Sequence, residues 1–442
     1  MIRTLLTVPG LSKSIILALV VISTASTTLF AVNAGLETPM QGLCLVLLVG
    51  FFLLNTGAAL KKVTLPISIS YAILVLFFVL WLCNEFLLHR TSSVALITVY
   101  AVGAFLTAVV LPQTFFERRG YFNFFIWCVI FVGAVVGATG ILGSLGLNSL
   151  FGLPMFNKYG YARYASFPAS SGILDYPETL GAQMALSFIC ALYMMVRSKP
   201  TPLLVLSTLL IAGGLITSQG RAAILGALVG IGAVVFAMRS RIPAAALVAI
   251  VVLLVLSPIY ALNLISLLPG AGSYLRAETG LSGREGVWNF ALFYIGEHPL
   301  RGYGFQSSNM YTAMHGDFLR RHGFPAAGAS FHNTFLTRAF ENGILVSGAY
   351  IGVLLTALYR AGGLVRRSQE AALTFAMLVV VISISTFRDI NIGGMRQIVI
   401  YSAVFIGAAL QLPVRYTRLR EKTSSYSRQR IDRLPATSQY SG

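Results

Sequence analysis

The feature that most constrains this chain is a series of apolar runs, each about as long as a helix that crosses a membrane. Only 10% of the 442 residues are charged and the mean hydropathy is +0.79, whereas soluble domains carry about 25% charged residues. This composition excludes an ordinary soluble enzyme. We predict twelve transmembrane helices, at residues 14–33, 39–60, 64–83, 92–112, 121–141, 179–196, 202–219, 222–238, 243–262, 335–358, 371–387 and 395–412.

The basic residues are concentrated on one predicted side of the membrane. The chain has 32 Lys and Arg against 14 Asp and Glu, a net charge of +18, which in a soluble protein would suggest a nucleic-acid partner. With a cytoplasmic N-terminus, 20 of the 32 basic residues fall on the inside, and the two sides carry +16 and +2. The inside loops are short, which is where the positive-inside rule applies. We therefore expect both termini to be cytoplasmic and no nucleic-acid partner.

The predicted helices divide the chain into four parts. Residues 1–262 contain the first nine helices, residues 263–334 form a large outer loop, residues 335–412 contain the last three helices, and residues 413–442 form a basic tail beside membrane lipid. A second outer segment, at about 142–178, interrupts the first part. Both outer segments are too long to be simple turns, so we expect the function to lie there.

Each outer segment has a distinctive composition. In the first, Lys158 and Arg163 are interleaved with tyrosines, a pattern that suits a sugar-phosphate lipid head as well as it suits a membrane-surface aromatic belt with extended basic side chains. In the second, residues 285–295 predict an interfacial helix. Its apolar residues can share one face, namely Val287, Trp288, Leu292, Phe293 and Ile295.

A set of short motifs surrounds the second segment. In chain order they are Thr217-Ser-Gln-Gly-Arg221-Ala-Ala, Ser282-Gly-Arg284-Glu-Gly-Val-Trp288, His298-Pro-Leu-Arg301-Gly302-Tyr-Gly304, Ser330-Phe-His332-Asn333-Thr-Phe-Leu336 and Glu341-Asn-Gly-Ile. Together, over roughly residues 217–350, they resemble the O-antigen ligase/polymerase family of bacterial envelope enzymes.

The resemblance implies a fold, a location and a reaction. We expect an all-α polytopic membrane protein of the GT-C-like kind, with about twelve transmembrane helices and a large, partly helical periplasmic loop. In the cell inner membrane, such a glycosyltransferase moves a glycan from a polyprenyl-diphosphate carrier to an acceptor at the periplasmic face. The compact chain favours a ligase, which joins undecaprenyl-diphosphate-linked O-antigen to lipid A-core. An O-antigen polymerase and a protein O-oligosaccharyltransferase are the alternatives.

The chemistry of such a transfer assigns roles to three residues. Arg221 and Arg284 are predicted to stabilise the departing diphosphate, since a guanidinium binds phosphate oxygens bidentately and stays charged. His332 is predicted to be the general base, because an imidazole is largely neutral near pH 7 and can accept the acceptor hydroxyl's proton. The donor already has a leaving group, so we expect no cofactor, and the histidines lack a regular metal-ligand spacing, so we expect no metal.

A second group of residues is predicted to bind substrate or to position the first. Asn333 can orient the imidazole, bind sugar or cap the following helix, and Asp389 can hold His332 or an arginine in place. Gly302 and Gly304 are expected to permit a tight turn or a close backbone approach. The predicted substrate-binding residues are Lys158, Arg163, Trp288, Asn333, Arg338, Arg388 and Asp389. For Arg338, an ion pair with Glu341 one turn later is the simpler explanation.

A transporter or flippase for a lipid-linked solute is the competing class. Twelve spans are typical of transporters, but these usually place polar residues or broken helices near the bilayer midplane and often have two similar halves. In this chain the ionisable groups instead gather at one predicted face. The sequence therefore favours an enzyme.

Overall fold

The computed structural model describes residues 8–32, 34–59, 69–87, 91–150, 152–155, 169–239, 242–256, 284–321, 330–390, 392 and 394–413. The helices are α1 (Val8–Val32), α2 (Glu37–Ala59), α3 (Ile69–Leu87), α4 (Thr91–Ala104), α5 (Leu111–Glu117), α6 (Arg119–Ser144), α7 (Pro177–Arg197), α8 (Pro202–Ser218), α9 (Arg221–Arg239), α10 (Ala244–Leu256), α11 (Arg284–Glu297), α12 (Ser307–Met314), α13 (Gly316–Arg321), α14 (Thr334–Gly362), α15 (Gln369–Ser385) and α16 (Gln397–Pro413). A π-helical turn, Phe105–Val110, joins α4 to α5, and a 3₁₀ turn, Ala34–Leu36, precedes α2.

The helices match the predicted membrane spans in position. Among the described residues, seven helices are long and apolar enough to cross a membrane, and five shorter apolar helices accompany them. Each predicted span overlaps one of these twelve segments. An all-α polytopic membrane fold is consistent with this arrangement. The described residues also include a two-residue antiparallel pair in the first outer segment, β1 (Ser149–Leu150) with β2 (Leu153–Pro154).

The core of the fold is the packing of α15 against its neighbours. Every residue of α15 from Ala371 to Ser385 is buried, and α9 crosses it closely. A Cβ added at Gly226 of α9 would lie 3.0 Å from Val380 Cα, so the two backbones approach to a distance that only a small residue allows. The hydroxyl of Ser383 also donates to the carbonyl of Ala222, at 2.7 Å.

Polar contacts tie the helix ends together at both ends of the bundle. At the predicted inside, the end of α7 meets the start of α15 through Arg197 and Glu370, 3.1 Å apart. At the predicted outside, the start of α2 meets the start of α16, where Glu37 lies 2.5 Å from Arg396. The motifs singled out in the sequence lie at this second end.

A break in α14 receives part of the second outer loop. Gly343 has φ +81° and ψ 165°, which interrupts the helical hydrogen-bond ladder. The carbonyls of Phe340 and Glu341 accept hydrogen bonds from the N–H groups of Tyr303 and Gly304 instead, at 2.9 and 2.7 Å. The break thus docks the His-Pro-Leu-Arg-Gly-Tyr-Gly segment onto the bundle.

Glycine is required at this docking point. A Cβ added at Gly302 would lie 2.6 Å from the carbonyl oxygen of Glu341, and Gly302 and Gly304 both have positive φ, +66° and +92°. This is the tight turn and close backbone approach expected from the sequence. His298 lies in the same turn, where its carbonyl accepts from Gly302 N–H at 2.9 Å.

The predicted interfacial segment is helical, but its apolar residues do not share one face. In α11, Val287 is fully buried, whereas Leu292 and Phe293 are 53% and 65% exposed. Trp288 and Ile295 are partly buried against the same small core as Val287. The prediction of a single apolar face was wrong because the five residues named for it spread round most of the helix, and packing on α14 buries only some of them.

Candidate functional site

His332 lies in a strained turn directly before α14. Its φ is +51°, in the left-handed region that non-glycine residues rarely adopt. The only other described non-glycine residues with positive φ are Gln219, two residues before Arg221, and Gln306, beside the glycine turn. Strained backbone of this kind tends to cluster at functional sites, and here each of the three positions adjoins a sequence motif.

The residues on either side fix the His332 backbone. Asn333 caps α14, because its side-chain oxygen accepts from the N–H groups of Phe335 and Leu336 at 3.0 and 3.1 Å. Phe331 is fully buried, and its carbonyl accepts from the indole N–H of Trp288 at 3.0 Å. Of the roles predicted for Asn333, the structure shows the helix cap; its sugar contact stays a prediction.

Four charged residues act on the imidazole. Burial is the largest influence and lowers the pKa of His332 below its ordinary value, and the cations Arg284 and Arg388 lower the pKa further. The carboxylates of Asp389 and Glu178 oppose them and raise the pKa. The balance leaves His332 neutral at neutral pH, which is the form that can accept a proton.

Helix α11 brings two predicted site residues to this position. Arg284, its first residue, places its guanidinium carbon 5.5 Å from the centre of the Phe387 ring. Trp288, one turn later, lies beside the same ring with centroids 6.2 Å apart. The two side chains therefore share one face of α11 and lie against Phe387, which follows α15, and Arg284 acts on His332 from there.

Arg388 and Asp389 follow α15 and complete the cluster. Arg388 donates to the hydroxyl of Thr179 and lies 3.7 Å from the buried carboxylate of Asp175, while its carbonyl accepts from Thr334 at 2.6 Å. Both carboxylate oxygens of Asp389 are buried and have no hydrogen-bond partner within the described residues. Buried polar atoms normally have a hydrogen-bond partner, so these two oxygens are an exception to that rule.

Arg221 begins α9 at the same end of the bundle. Gly220 before it lies against Gly181 at the start of α7, since a Cβ built at Gly220 would be 3.4 Å from Gly181 Cα. Ala222, the residue after Arg221, accepts a hydrogen bond through its carbonyl from the hydroxyl of Ser383 near the end of α15. Arg221 itself is partly buried. Arg221 is the first residue of this helix, and a helix N-terminus that also has an arginine is suited to binding an anion.

Arg338 belongs to a different environment, inside the bundle. Its side chain is 1% exposed, and its guanidinium lies 3.9 Å over the ring of Trp81. Glu341, the partner expected for it, accepts from Ser308 at 2.6 Å, and one guanidinium nitrogen of Arg338 lies 3.5 Å from the side-chain oxygen of Asn342. These contacts join α14 to α3 and α12.

Sequence reasoning missed several residues that shape the site. Glu85 is fully buried and accepts from the backbone of Phe305 at 2.7 Å and from Asn342 at 2.9 Å. Glu178 and Thr179 reach the cluster from the start of α7. For Glu85 the available signal was its position within an apolar run, because a carboxylate in such a run is usually paired or functional.

Some predicted residues lie outside the described part of the chain. These are Lys158 and Arg163. Among the described residues, no group of three or more His, Cys, Asp or Glu could hold a metal ion. The expectation of a metal-independent reaction stays a prediction.

Comparison with protein families identifies the segment that carries the site. The family model described as O-Antigen ligase matches residues 206–351. This confirms the resemblance to the O-antigen ligase family. The matched segment of this O-antigen ligase family includes Arg221, Arg284 and His332, whereas Arg388 and Asp389 follow it in the chain. Comparison with curated proteins gives no match.

The family match supports a function in general terms. A domain of the O-antigen ligase family indicates a glycosyltransferase-like ligase or polymerase, with partners of the lipid-linked glycan and lipid A-core type. With its apolar helices, the chain is a membrane protein.

Proposed function

We propose that this protein transfers an O-antigen glycan from undecaprenyl diphosphate to a sugar hydroxyl of lipid A-core. The reaction would take place at the periplasmic face of the inner membrane, without a metal or cofactor, and would complete lipopolysaccharide. The observation that carries the proposal is the environment of His332, a partly buried imidazole in a left-handed turn on which two arginines and two carboxylates act.

His332 is the general base of this proposal. The acceptor is a sugar hydroxyl, whose pKa is far above 7, so its proton must leave as the new bond forms. The neutral imidazole takes that proton and becomes a cation beside Asp389 and Glu178. Asp389 stabilises the cation, since its buried carboxylate oxygens have no competing hydrogen bond within the described residues.

Arg284 and Arg221 bind the diphosphate. As the bond between the anomeric carbon and the diphosphate oxygen breaks, its electron pair leaves with the diphosphate and negative charge grows there. Fixed cations stabilise that charge most in a site that excludes water. Arg284 suits this role because its planar group lies over Phe387 near His332, and a guanidinium can bind phosphate oxygens bidentately.

The step is a single displacement at the anomeric carbon. The acceptor oxygen bonds to that carbon, the diphosphate departs from the opposite side, and the hydroxyl proton moves to His332. No covalent enzyme intermediate is formed, so the anomeric configuration inverts. Determining the anomeric configuration of the product by NMR tests this consequence, and retention would exclude a single displacement.

Two experiments test the proposal as a whole. The purified chain, given undecaprenyl-diphosphate-linked glycan and lipid A-core in detergent, is expected to form glycan-bearing lipid A-core without any ion gradient; no product would contradict it. In a strain that lacks this protein, we expect full-length glycan to accumulate on the carrier and the lipid A-core to remain without glycan. Single repeats attached to core would show a polymerase instead.

A further inference from the structure

A cavity lies beside α11, away from His332. It has a volume of about 580 Å³, within the range of small-ligand sites. Its walls are mainly aromatic and come from α11 and from the stretch around α13. The lining residues used below are Asn289, Phe290, Phe293, Tyr294, His315 and Phe318.

The two faces of α11 serve different places. Arg284 and Trp288 face Phe387 and His332, whereas Asn289 and Phe293 line the cavity. In a helix with 3.6 residues per turn, Phe293 lies about 180° round the axis from Arg284. The cavity is therefore separate from the site of transfer, although the same helix forms a wall of each.

The lining combines ring faces with hydrogen-bonding edges. Phe293 meets Tyr294 edge-on at 89°, with centroids 5.3 Å apart, and Phe290 lies 6.4 Å from Phe318. Phe293 and Phe318 are 65% and 44% exposed, so their rings are accessible. The negative faces of such rings attract the C–H edges of a pyranose ring.

Two polar side chains complete the lining. Asn289 is exposed and offers both a carbonyl oxygen and an NH₂ group. His315 pairs through Nε2 with the hydroxyl of Tyr294, at 3.3 Å, which holds the imidazole in place and leaves Nδ1 as its second polar atom. An acyl chain needs no such groups, whereas a sugar needs them for its hydroxyls.

We propose that this cavity is a carbohydrate-binding subsite that holds the pyranose chain of a substrate glycan while His332 acts on another part of it. The inference rests on the proposed function. The ligand that suits this lining is a neutral hexose chain, and both the acceptor core and the donor repeat units can supply one.

Binding without transfer tests the subsite. Saturation-transfer difference NMR on the full chain in detergent would use two probes in turn, core oligosaccharide released from lipopolysaccharide and a free repeat-unit oligosaccharide. No carrier lipid is present, so the result does not depend on the transfer reaction. We expect at least one probe to bind, and the probe that binds more tightly identifies the source. If neither binds, the proposal is wrong, even if the chain is an active transferase.

A matched pair of variants locates the binding. Phe293→Ala removes a ring from the cavity wall and should raise the Kd of the bound probe about tenfold. Leu292→Ala is the control, since Leu292 is 53% exposed on the same helix and does not line the cavity. Equal binding by both variants would overturn the assignment. The assignment would also be overturned if a fatty acid bound to the wild type but not to Phe293→Ala, because that result would show an acyl-chain pocket.

The same pair gives a kinetic readout. Because the subsite is remote from the reacting atoms, Phe293→Ala is expected to raise the KM for the glycan about tenfold and leave kcat unchanged. Phe318→Ala should act in the same way and checks that the effect comes from the cavity. A fall in kcat with unchanged KM for both variants would contradict a binding role.

Discussion

Two charged clusters, one at each end of the helix bundle, hold their carboxylates differently. At the predicted inner end, Glu370 accepts from Arg197 at 3.1 Å and from Ser368 at 2.9 Å, so its carboxylate is fully engaged by protein groups. At the other end, Asp389 has two buried oxygens without a hydrogen-bond partner in the described structure. The first arrangement stabilises a helix junction. The second leaves the hydrogen-bonding capacity of a carboxylate unused by the described residues.

The ion pairs beside Glu370 and Asp389 also differ. Arg197 and Glu370 are each about a quarter exposed and bond directly. Arg388 and Asp175 are 3.7 Å apart, beside a histidine in a left-handed turn. At the helix junction the carboxylate of Glu370 pairs directly with an arginine, whereas Asp389, next in the chain to Arg388, has no hydrogen-bond partner within the described residues. The predictions below use this contrast.

The largest effect is expected from His332. Replacing it by Ala removes the proposed base and should lower kcat by about 10²- to 10⁴-fold, with normal membrane insertion. His298→Ala, an exposed histidine of the same loop, is the control and should remain active. Near-normal transfer by a correctly inserted His332→Ala protein, measured with purified donor and acceptor, would exclude the base assignment.

Arg284 should be nearly as sensitive, even to a conservative change. Arg284→Lys keeps the charge but loses the bidentate geometry and the flat stacking on Phe387, so we expect a loss of about 10²-fold in kcat. Arg301→Lys is the matched control, because Arg301 is exposed and its contact to Asn84 uses its backbone carbonyl. Equal activity of the two variants in the transfer assay would show that Arg284 is only a surface charge.

The pH profile separates the influence of each charge on His332. In wild type, kcat/KM should rise with pH through a pKa below 6.5, because burial and Arg284 favour the neutral imidazole. Arg284→Gln removes a cation and should move this acid limb to higher pH. Asp389→Asn removes an anion and should move it to lower pH. Shifts in the opposite directions would mean that another group titrates.

Amide variants of Asp389 and Glu370 compare the two carboxylates directly. Asp389→Asn should lower kcat about tenfold, since the imidazolium loses its stabilising anion. Glu370→Gln should leave kcat and the pH profile unchanged. Similar kinetic effects of the two variants would show that the bundle ends do not differ in function.

The smallest effect is expected in stability. The Arg197–Glu370 pair is partly exposed, so Glu370→Gln should reduce the free energy of unfolding by at most about 1 kcal/mol. Thermal unfolding in detergent measures this as a small decrease in Tm. A fall of many degrees would show that the junction is a principal support of the fold.

The sequence predicted the helices better than the loop. Length and apolarity locate the membrane spans, because each helix must cover a hydrocarbon layer of known thickness. The faces of α11 could not be read in this way, since its apolar residues are spread round the helix and only contact with α14 decides that Val287 is buried and Phe293 exposed. The strand pair at Ser149 likewise depends on a local turn.

For the candidate site, the sequence supplied the reactive groups but not their partners. His332 and Arg284 stood out by motif and by chemistry. Glu178 and Thr179 did not, because they lie more than 100 residues away and carry no pattern that distinguishes them from a helix start. Glu85 was overlooked in an apolar run, although it bonds to both the loop and α14.

By itself, then, the sequence determined that the chain is a helical membrane protein with motifs of the O-antigen ligase family, since hydrophobic length and short motifs are local properties. Only the tertiary structure decided which charges act on His332. The start of α7, the end of α15, the start of α11 and the turn before α14 meet there, and electrostatic influence depends on distance in space and on burial. Neither quantity can be read from position along the chain.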